Sequence, residues 1–242
     1  MKERDDAYGR LVLDHFEGAS PIEVVERDDG YVDASTYSPG SYFAPLSRWP
    51  RAERKAMRLA RGRVLDVGCG AGRVALHLQE RGHDVVGIDV SPLAVDVARR
   101  RGVSDARVLP ITRVDRSLGR FDTIVMFGNN FGLFGNPRRA RWLLRRFRSL
   151  TNEGARILAE SVDPYKTDNP HHLAYQERNR RRGRLPGGLR IRIRYQAYAT
   201  PWFDYLIASP DEMGEIVESA GWHLARVVDE GEYVYVGVIE RD

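Results

Sequence analysis

One ten-residue stretch constrains this chain more than any other: Val64-Leu65-Asp66-Val67-Gly68-Cys69-Gly70-Ala71-Gly72-Arg73. An apolar run ends in an acid and opens at once into glycines spaced G-x-G-x-G, and a helical pattern comes next. Strand, glycine turn and helix in that order is how an α/β sheet brings a ligand against bare backbone at the end of its first strand. The bland alternative is a turn that merely joins strand to helix.

The next apolar segment weakens that alternative. Asp84-Val85-Val86-Gly87-Ile88-Asp89-Val90 is a second apolar strand that ends in a carboxylate. Asp89 lies at about the distance from the glycines at which adenosine-binding folds place an acid for the ribose hydroxyls. Ser91-Pro92 already supplies the cap and first turn of the next helix, and Gly102 closes it. Both nicotinamide and methyl-donor chemistry want such an acid, so Asp89 does not separate them. The glycine spacing does. A dinucleotide fingerprint reads G-x-G-x-x-G, whereas here the third glycine falls one place early, at Gly72, and Arg73 takes the dinucleotide position.

From Arg63 to Ser161 short apolar runs at 63–67, 84–89, 106–110, 121–127 and 155–160 alternate with amphipathic helical patterns. That alternation is the signature of a parallel sheet with crossover helices. Asn136-Pro137 starts a helix whose buried face is Ala140, Leu143, Leu144, Phe147 and Leu150. Its other face, Arg138, Arg141, Arg145 and Arg148, reads as solvated. Ser209-Pro210-Asp211-Glu212 has the capping-box form. Two strand-like runs, 223–229 and 233–240, then close the chain as an antiparallel pair across a short turn.

The pattern D-V-G-C-G-A-G-R at 66–73, with the acidic loop from Gly87 to Gly102, resembles class I S-adenosylmethionine-dependent methyltransferases. The terminal helix and hairpin resemble the end of their seven-stranded sheet, where a dehydrogenase would need further β-α units. The resemblance implies an α/β fold with a Rossmann-like methyltransferase sheet of parallel strands and an antiparallel C-terminal hairpin. It divides the chain into an N-terminal cap or substrate lid (1–60), a cofactor-binding core (61–161), an inserted lid (162–208) and a completing helix and hairpin (209–242). S-adenosylmethionine is the implied cofactor. Gly68, Cys69, Gly70 and Gly72 would flank its methionine part and Asp66 its ammonium. Asp89 would take the ribose, and adenine would lie between Val90 and Ile111-Thr112. Many relatives carry an acid after the third strand, and Leu109-Pro110-Ile111-Thr112 departs from that pattern. Phe127-Gly128-Asn129-Asn130 ends the fourth strand, where the methyl group points.

The implied reaction is methyl transfer to an oxygen or nitrogen of a small-molecule acceptor. Its candidate acceptor contacts are Tyr37, Tyr42, Asn129, Asn130, Tyr165 and Trp202. His171 and His172 are candidates for a base, with ordinary loop hydrogen bonding as the bland reading. Arg178–Arg184 and the strict alternation Arg190-Ile191-Arg192-Ile193-Arg194-Tyr195 offer either an electropositive wall, for an anion or RNA, or a solvated lid strand. An RNA methyltransferase and a non-catalytic cofactor-binding protein are therefore the rival readings.

Composition supports the small-molecule reading. Hydrophobic residues make up 42% of 242, enough for a proper core, and 38 basic against 34 acidic residues leave a net charge of only +4. Bulk charge thus argues against nucleic acid as the main partner. The lone Cys69 excludes an internal disulfide or a multi-cysteine metal site, and no metal is expected. Without a membrane-length apolar run or a signal-like start, the expected location is the cytoplasm. The sequence leaves the oligomeric state open.

Overall fold

The computed structural model describes residues 3–34, 39–229, 231 and 233–241. In chain order the elements are α1 (Ala7–Phe16), β1 (Val24–Arg27), β2 (Val32–Asp33), α2 (Arg51–Met57), β3 (Val64–Val67), α3 (Arg73–Glu80), β4 (Val85–Asp89), α4 (Pro92–Arg100), β5 (Ala106–Val108) and β6 (Phe121–Met126). Then come α5 (Pro137–Ser149), β7 (Thr151–Val162), α6 (Pro170–Arg181), β8 (Gly188–Tyr195), β9 (Tyr198–Ala199), β10 (Phe203–Leu206), α7 (Pro210–Glu218), β11 (Trp222–Asp229) and β12 (Val234–Arg241).

Seven strands form the central sheet in the order β11-β12-β7-β6-β3-β4-β5. β7, β6, β3, β4 and β5 run parallel; β12 pairs antiparallel with β7, and β11 pairs antiparallel with β12 and so runs in the direction of the other five. The fold is therefore the Rossmann-like α/β sheet expected from the sequence. β3 is buried along its whole length, as an inner parallel strand covered on both faces must be. The strand order reverses at β3, so the crevice beyond its carboxyl end is where a ligand has access to backbone. One apolar layer, with Phe121, Phe131, Phe134, Phe147 and Trp222, lies on the α5 and α7 side. A second, with Trp49, Val74, Leu78 and Val95, packs on the other face.

Helix starts obey the local signals. Ser91 Oγ accepts from the Ala94 amide and Asn136 Oδ1 from the Arg139 amide. Ser209 and Glu212 form a reciprocal capping box. β5 stops at Val108, two residues short of its expected end, just ahead of Pro110, which has no N–H for a ladder.

The cap and the insert do not fold separately. β1 and β2 from before the core join β8, β9 and β10 from after β7 in one antiparallel sheet, ordered β10-β8-β1-β2 with β9 on β8. α1 packs between this lid sheet and α4; Ala7, Leu11, Val12, Ala94, Val97 and Tyr195 share one buried cluster. Asp6 fastens the contact. Its carboxylate caps α1 through the Gly9 amide at 2.9 Å and reaches across to Ser91 Oγ at 2.9 Å and the Leu93 amide at 3.3 Å. Pairing across the lid sheet places Glu26 opposite Arg192, and Arg27 opposite Ile191 and so in line with Phe203. One face therefore carries the arginines of β8 and the other faces the core.

Candidate functional site

The glycine loop leaves β3 with Gly68 at φ 75° and Gly70 at φ 50°, a backbone that side chains resist. Two neighbours also need the missing Cβ atoms. A Cβ on Gly68 would stand 2.5 Å from Asn130 Nδ2, and one on Gly70 2.5 Å from the Tyr8 hydroxyl. Asn130 Nδ2 donates to the carbonyls of Val67 and Gly68 at 3.0 and 3.1 Å, so it holds the loop in shape. Asn130 thus spends its Nδ2 on the loop. Cys69 is buried with its sulfur against Gly87, and burial pushes its thiol up.

Asp89 ties the loop to the next helix. Its Oδ2 accepts the Gly70 amide at 3.0 Å and its Oδ1 the Ser91 amide at 2.9 Å. Each carboxylate oxygen keeps a lone pair for a ribose hydroxyl. Burial raises its carboxyl, and the two amide bonds oppose that rise. Val90, just after β4, and Val108, which ends β5 opposite Asp89, are 51% and 45% exposed. Those are apolar side chains left open where a flat ring would rest. Ile111 is partly buried against the core, and Thr112 is exposed.

On the other side of the loop lies a nest of acids. Asp66 is 2% exposed, and burial lifts its carboxyl to about 7. Glu160, two residues before β7 ends at Val162, accepts the Gly128 and Asn129 amides at 3.0 and 3.1 Å. Glu53 of α2 binds Arg73 at 2.7 Å and also meets the Gly128 amide. Burial and the charge of Glu53 raise the Glu160 carboxyl well above the usual range. Asp66 Oδ2, Glu53 Oε2 and Asn129 Oδ1 are buried and have no partner among the described residues. Unpaired acceptors at that depth are costly unless something donates to them. Three acceptors around one loop fit an ammonium group, and the Gly128 position is open, with nothing near where its Cβ would be.

Asn129 and Gly128 both adopt left-handed backbone, φ 62° and 73°, so turn chemistry accounts for part of their presence. Phe127 turns its ring into the core with Trp49, leaving only backbone at the site. Tyr42 stands at the site: it meets Tyr8 edge to face, ring centroids 5.4 Å apart. Tyr37 lies outside the described residues.

The remaining sequence candidates sit elsewhere. His171 and His172 pack on Tyr31, and His172 Nδ1 meets Thr167 Oγ1 at 3.2 Å. Burial and then Arg27 push the His172 pKa down. No described contact joins either ring to the glycine loop. Tyr165 is 49% exposed and donates to Glu212 of α7. Trp202 stacks on Arg192 on the arginine face of the lid sheet, away from the core. Tyr205 is the aromatic that reaches the site: it donates to the Asn129 carbonyl, and its ring lies on Gly132. Strand alternation puts Trp202 and Tyr205 on opposite faces, which the aromatic content alone does not reveal.

Tyr8, Glu53 and Glu160 escaped the sequence reading. Glu160 had a usable signal, since Ile157-Leu158-Ala159-Glu160 is a buried strand ending in an acid, as at Asp66 and Asp89.

Residues 64–154 match the family model of a methyltransferase domain. A S-adenosylmethionine-dependent methyltransferase from Bacteroides fragilis, solved with S-adenosyl-L-homocysteine, superposes with a TM-score of 0.83 at 27% identity, over 99% of this chain and 96% of that one. Residues 64–154 therefore carry a methyltransferase domain. Among curated relatives, the chain is 29% identical over 164 residues to glycine/sarcosine N-methyltransferase of Halorhodospira halochloris, covering 58% of each. It is 41% identical over 70 residues to 2-heptyl-1-hydroxyquinolin-4(1H)-one methyltransferase of Mycobacteroides abscessus, covering 26% of this chain. It spans 58% and 31% of the length of these two relatives.

Proposed function

We infer that this chain transfers a methyl group from S-adenosylmethionine to an oxygen or nitrogen of a small molecule. The observation that carries this reading is the pairing of Asp89, with ribose-ready lone pairs, and the unpartnered Asp66 and Glu53 oxygens on either side of one glycine loop. Those match the two polar ends of S-adenosylmethionine, its ribose hydroxyls and its ammonium. Asp66 and Glu53 would take its ammonium, Gly68 and Gly70 would admit its chain, and Val90 with Val108 would support adenine. The superposition on an S-adenosylhomocysteine complex along nearly the whole chain supports the same cofactor.

When bound, the cofactor supplies an already activated methyl group, so the protein's task is placement and exclusion of water. α1, clasped to α4 by Asp6, closes one side with Tyr8 directly over Gly70. Burial and the nearby Asp89 charge push the Tyr8 hydroxyl well up, so it stays a neutral donor. Tyr205 fixes the lid to the loop after β6 through the Asn129 carbonyl.

The RNA reading loses support from the lid. Arg190 pairs with Asp204, Arg192 with Glu26 and Trp202, and Arg194 with Glu26, so each arginine of the strand face meets an acid, three of them sharing two carboxylates. No helix of the described residues is long and apolar enough to cross a membrane. A cytoplasmic location belongs to the same proposal. Calorimetry tests it: S-adenosylhomocysteine should bind the wild type, and Asp89→Ala should weaken binding by about 2–4 kcal/mol through two lost ribose bonds. Equal affinity in both proteins would refute the assignment.

A further inference from the structure

The cofactor reading leaves one buried carboxylate of the lid unused. Glu23 continues the core-facing side of β1 set by Val25 and Arg27, and it is 5% exposed. Its Oε2 accepts the Tyr42 hydroxyl at 2.6 Å, while Oε1 takes no hydrogen bond from any described residue. Tyr42 meets Tyr8 edge to face, and the Tyr8 hydroxyl stands over Gly70. Two side chains, Tyr8 and Tyr42, thus lead from the glycine loop to Glu23. The titratable groups that face it are Tyr42, Tyr8 and Asp33, which lies across the β1–β2 pair from Val25. Burial and the Asp33 charge raise the Glu23 carboxyl to about 7, against the pull of the Tyr42 hydrogen bond.

The charge around these residues is lopsided. Arg73 is engaged by Glu53 and Trp49, Arg27 by Asp29 between Tyr31 and Tyr175, and Arg101 by the carbonyls of Ala71 and Tyr42. Around the loop and the lid stand Glu23, Asp89 and the unpartnered oxygens of Asp66 and Glu53. A carboxylate or phosphate acceptor would be desolvated among acids with no arginine of this set left to receive it. An amine has the N–H that Glu23 Oε1 lacks.

We propose that Glu23, oriented by Tyr42, binds an amine acceptor and takes its proton, so that the chain methylates nitrogen. The inference rests on the methyl-transfer reading above. The amine lone pair forms the N–C bond, the C–S bonding pair stays on sulfur, which leaves as a neutral thioether, and the N–H proton passes to Glu23 Oε1.

Two measurements test it. In a carbon-13 titration of glutamate-labelled protein, with Glu23→Gln assigning the signal, Glu23 should titrate near 7, and Tyr42→Phe should move the midpoint higher by removing the donor. A midpoint in the usual glutamate range, about 4.3, or one that ignores Tyr42→Phe, would overturn the role. In the second, S-adenosylmethionine is offered with a panel of primary and secondary amines and matched carboxylates and phenols. Turnover should be confined to amines and should fall about 100-fold or more in Glu23→Gln, with partial recovery in Glu23→Asp and unchanged S-adenosylhomocysteine affinity. Turnover of carboxylates or phenols, or of no amine, overturns the amine assignment. A wild type that binds no S-adenosylhomocysteine indicts the methyl-transfer reading instead.

Discussion

Replacing Asp6 by alanine should loosen the cap from the cofactor loop. Asp6 is 2% exposed and is the only residue of the described α1 N-terminus that bonds both helices. Loss of an N-cap costs about 1 kcal/mol. The Ser91 hydroxyl and Leu93 amide lose their acceptor as well, at about 1–3 kcal/mol for each buried donor left unpaired. The 3.3 Å Leu93 bond is long and Ser91 Oγ keeps its Ala94 contact, so the low end applies to both. The sum is roughly 3 kcal/mol. For a chain of this size each kcal/mol shifts the melting temperature by about 2–4 °C, so Asp6→Ala should melt roughly 6–12 °C lower. Asp6→Asn keeps one acceptor for Gly9 and should fall by about half as much. Because α1 carries Tyr8 over Gly70, the affinity for S-adenosylhomocysteine should drop with the stability. Differential scanning calorimetry with and without that ligand reads both. A shift under about 2 °C with unchanged ligand stabilisation would show that the Asp6 clasp does not hold the cap.

Three further outcomes rest on the same geometry. Gly70→Val puts a branched side chain at φ 50° against the Tyr8 hydroxyl, and calorimetry should detect no S-adenosylhomocysteine binding; near-native affinity would sink the loop assignment. Asn130→Ala removes both bonds to the loop carbonyls and should weaken ligand binding about tenfold, with a melting loss of a few degrees; unchanged affinity would deny it the clamp. Burial holds Asp66 at about 7, above its ordinary value of about 3.9, so the folded chain binds the extra proton and stability falls as pH rises through that window. Asp66→Asn should therefore raise the melting temperature of the ligand-free protein at pH 8 while reducing its affinity for S-adenosylhomocysteine. A variant that gains nothing in stability, or binds as well as wild type, contradicts that role.

Much of the core was legible because its signals are local. The apolar runs and glycine turns place β3, β4 and β6, and Ser91, Asn136 and Ser209 cap the helices that their positions announce. The lid was less so. β1 pairs with β8 from about 165 residues further along, and no local pattern states which distant strand completes a sheet. That pairing decides that the arginines of β8 face Glu26 and Asp204, and that Tyr205 instead of Trp202 turns to the site. The histidines looked suitable for their chemistry, but α6 carries them to Tyr31. Glu53 and Glu160 come from α2 and β7, and their meeting at Gly128 is a fact of packing.

The central claim is that the loop at 68–72 is built for S-adenosylmethionine, and thermal unfolding with S-adenosylmethionine, S-adenosylhomocysteine and NAD in parallel tests it most directly. At 100 times its dissociation constant a ligand adds about 2.7 kcal/mol, which for this chain is roughly 5–11 °C. The account predicts that rise with the first two ligands and none with NAD. No response to either methyl-donor ligand, or a response to NAD alone, would contradict it.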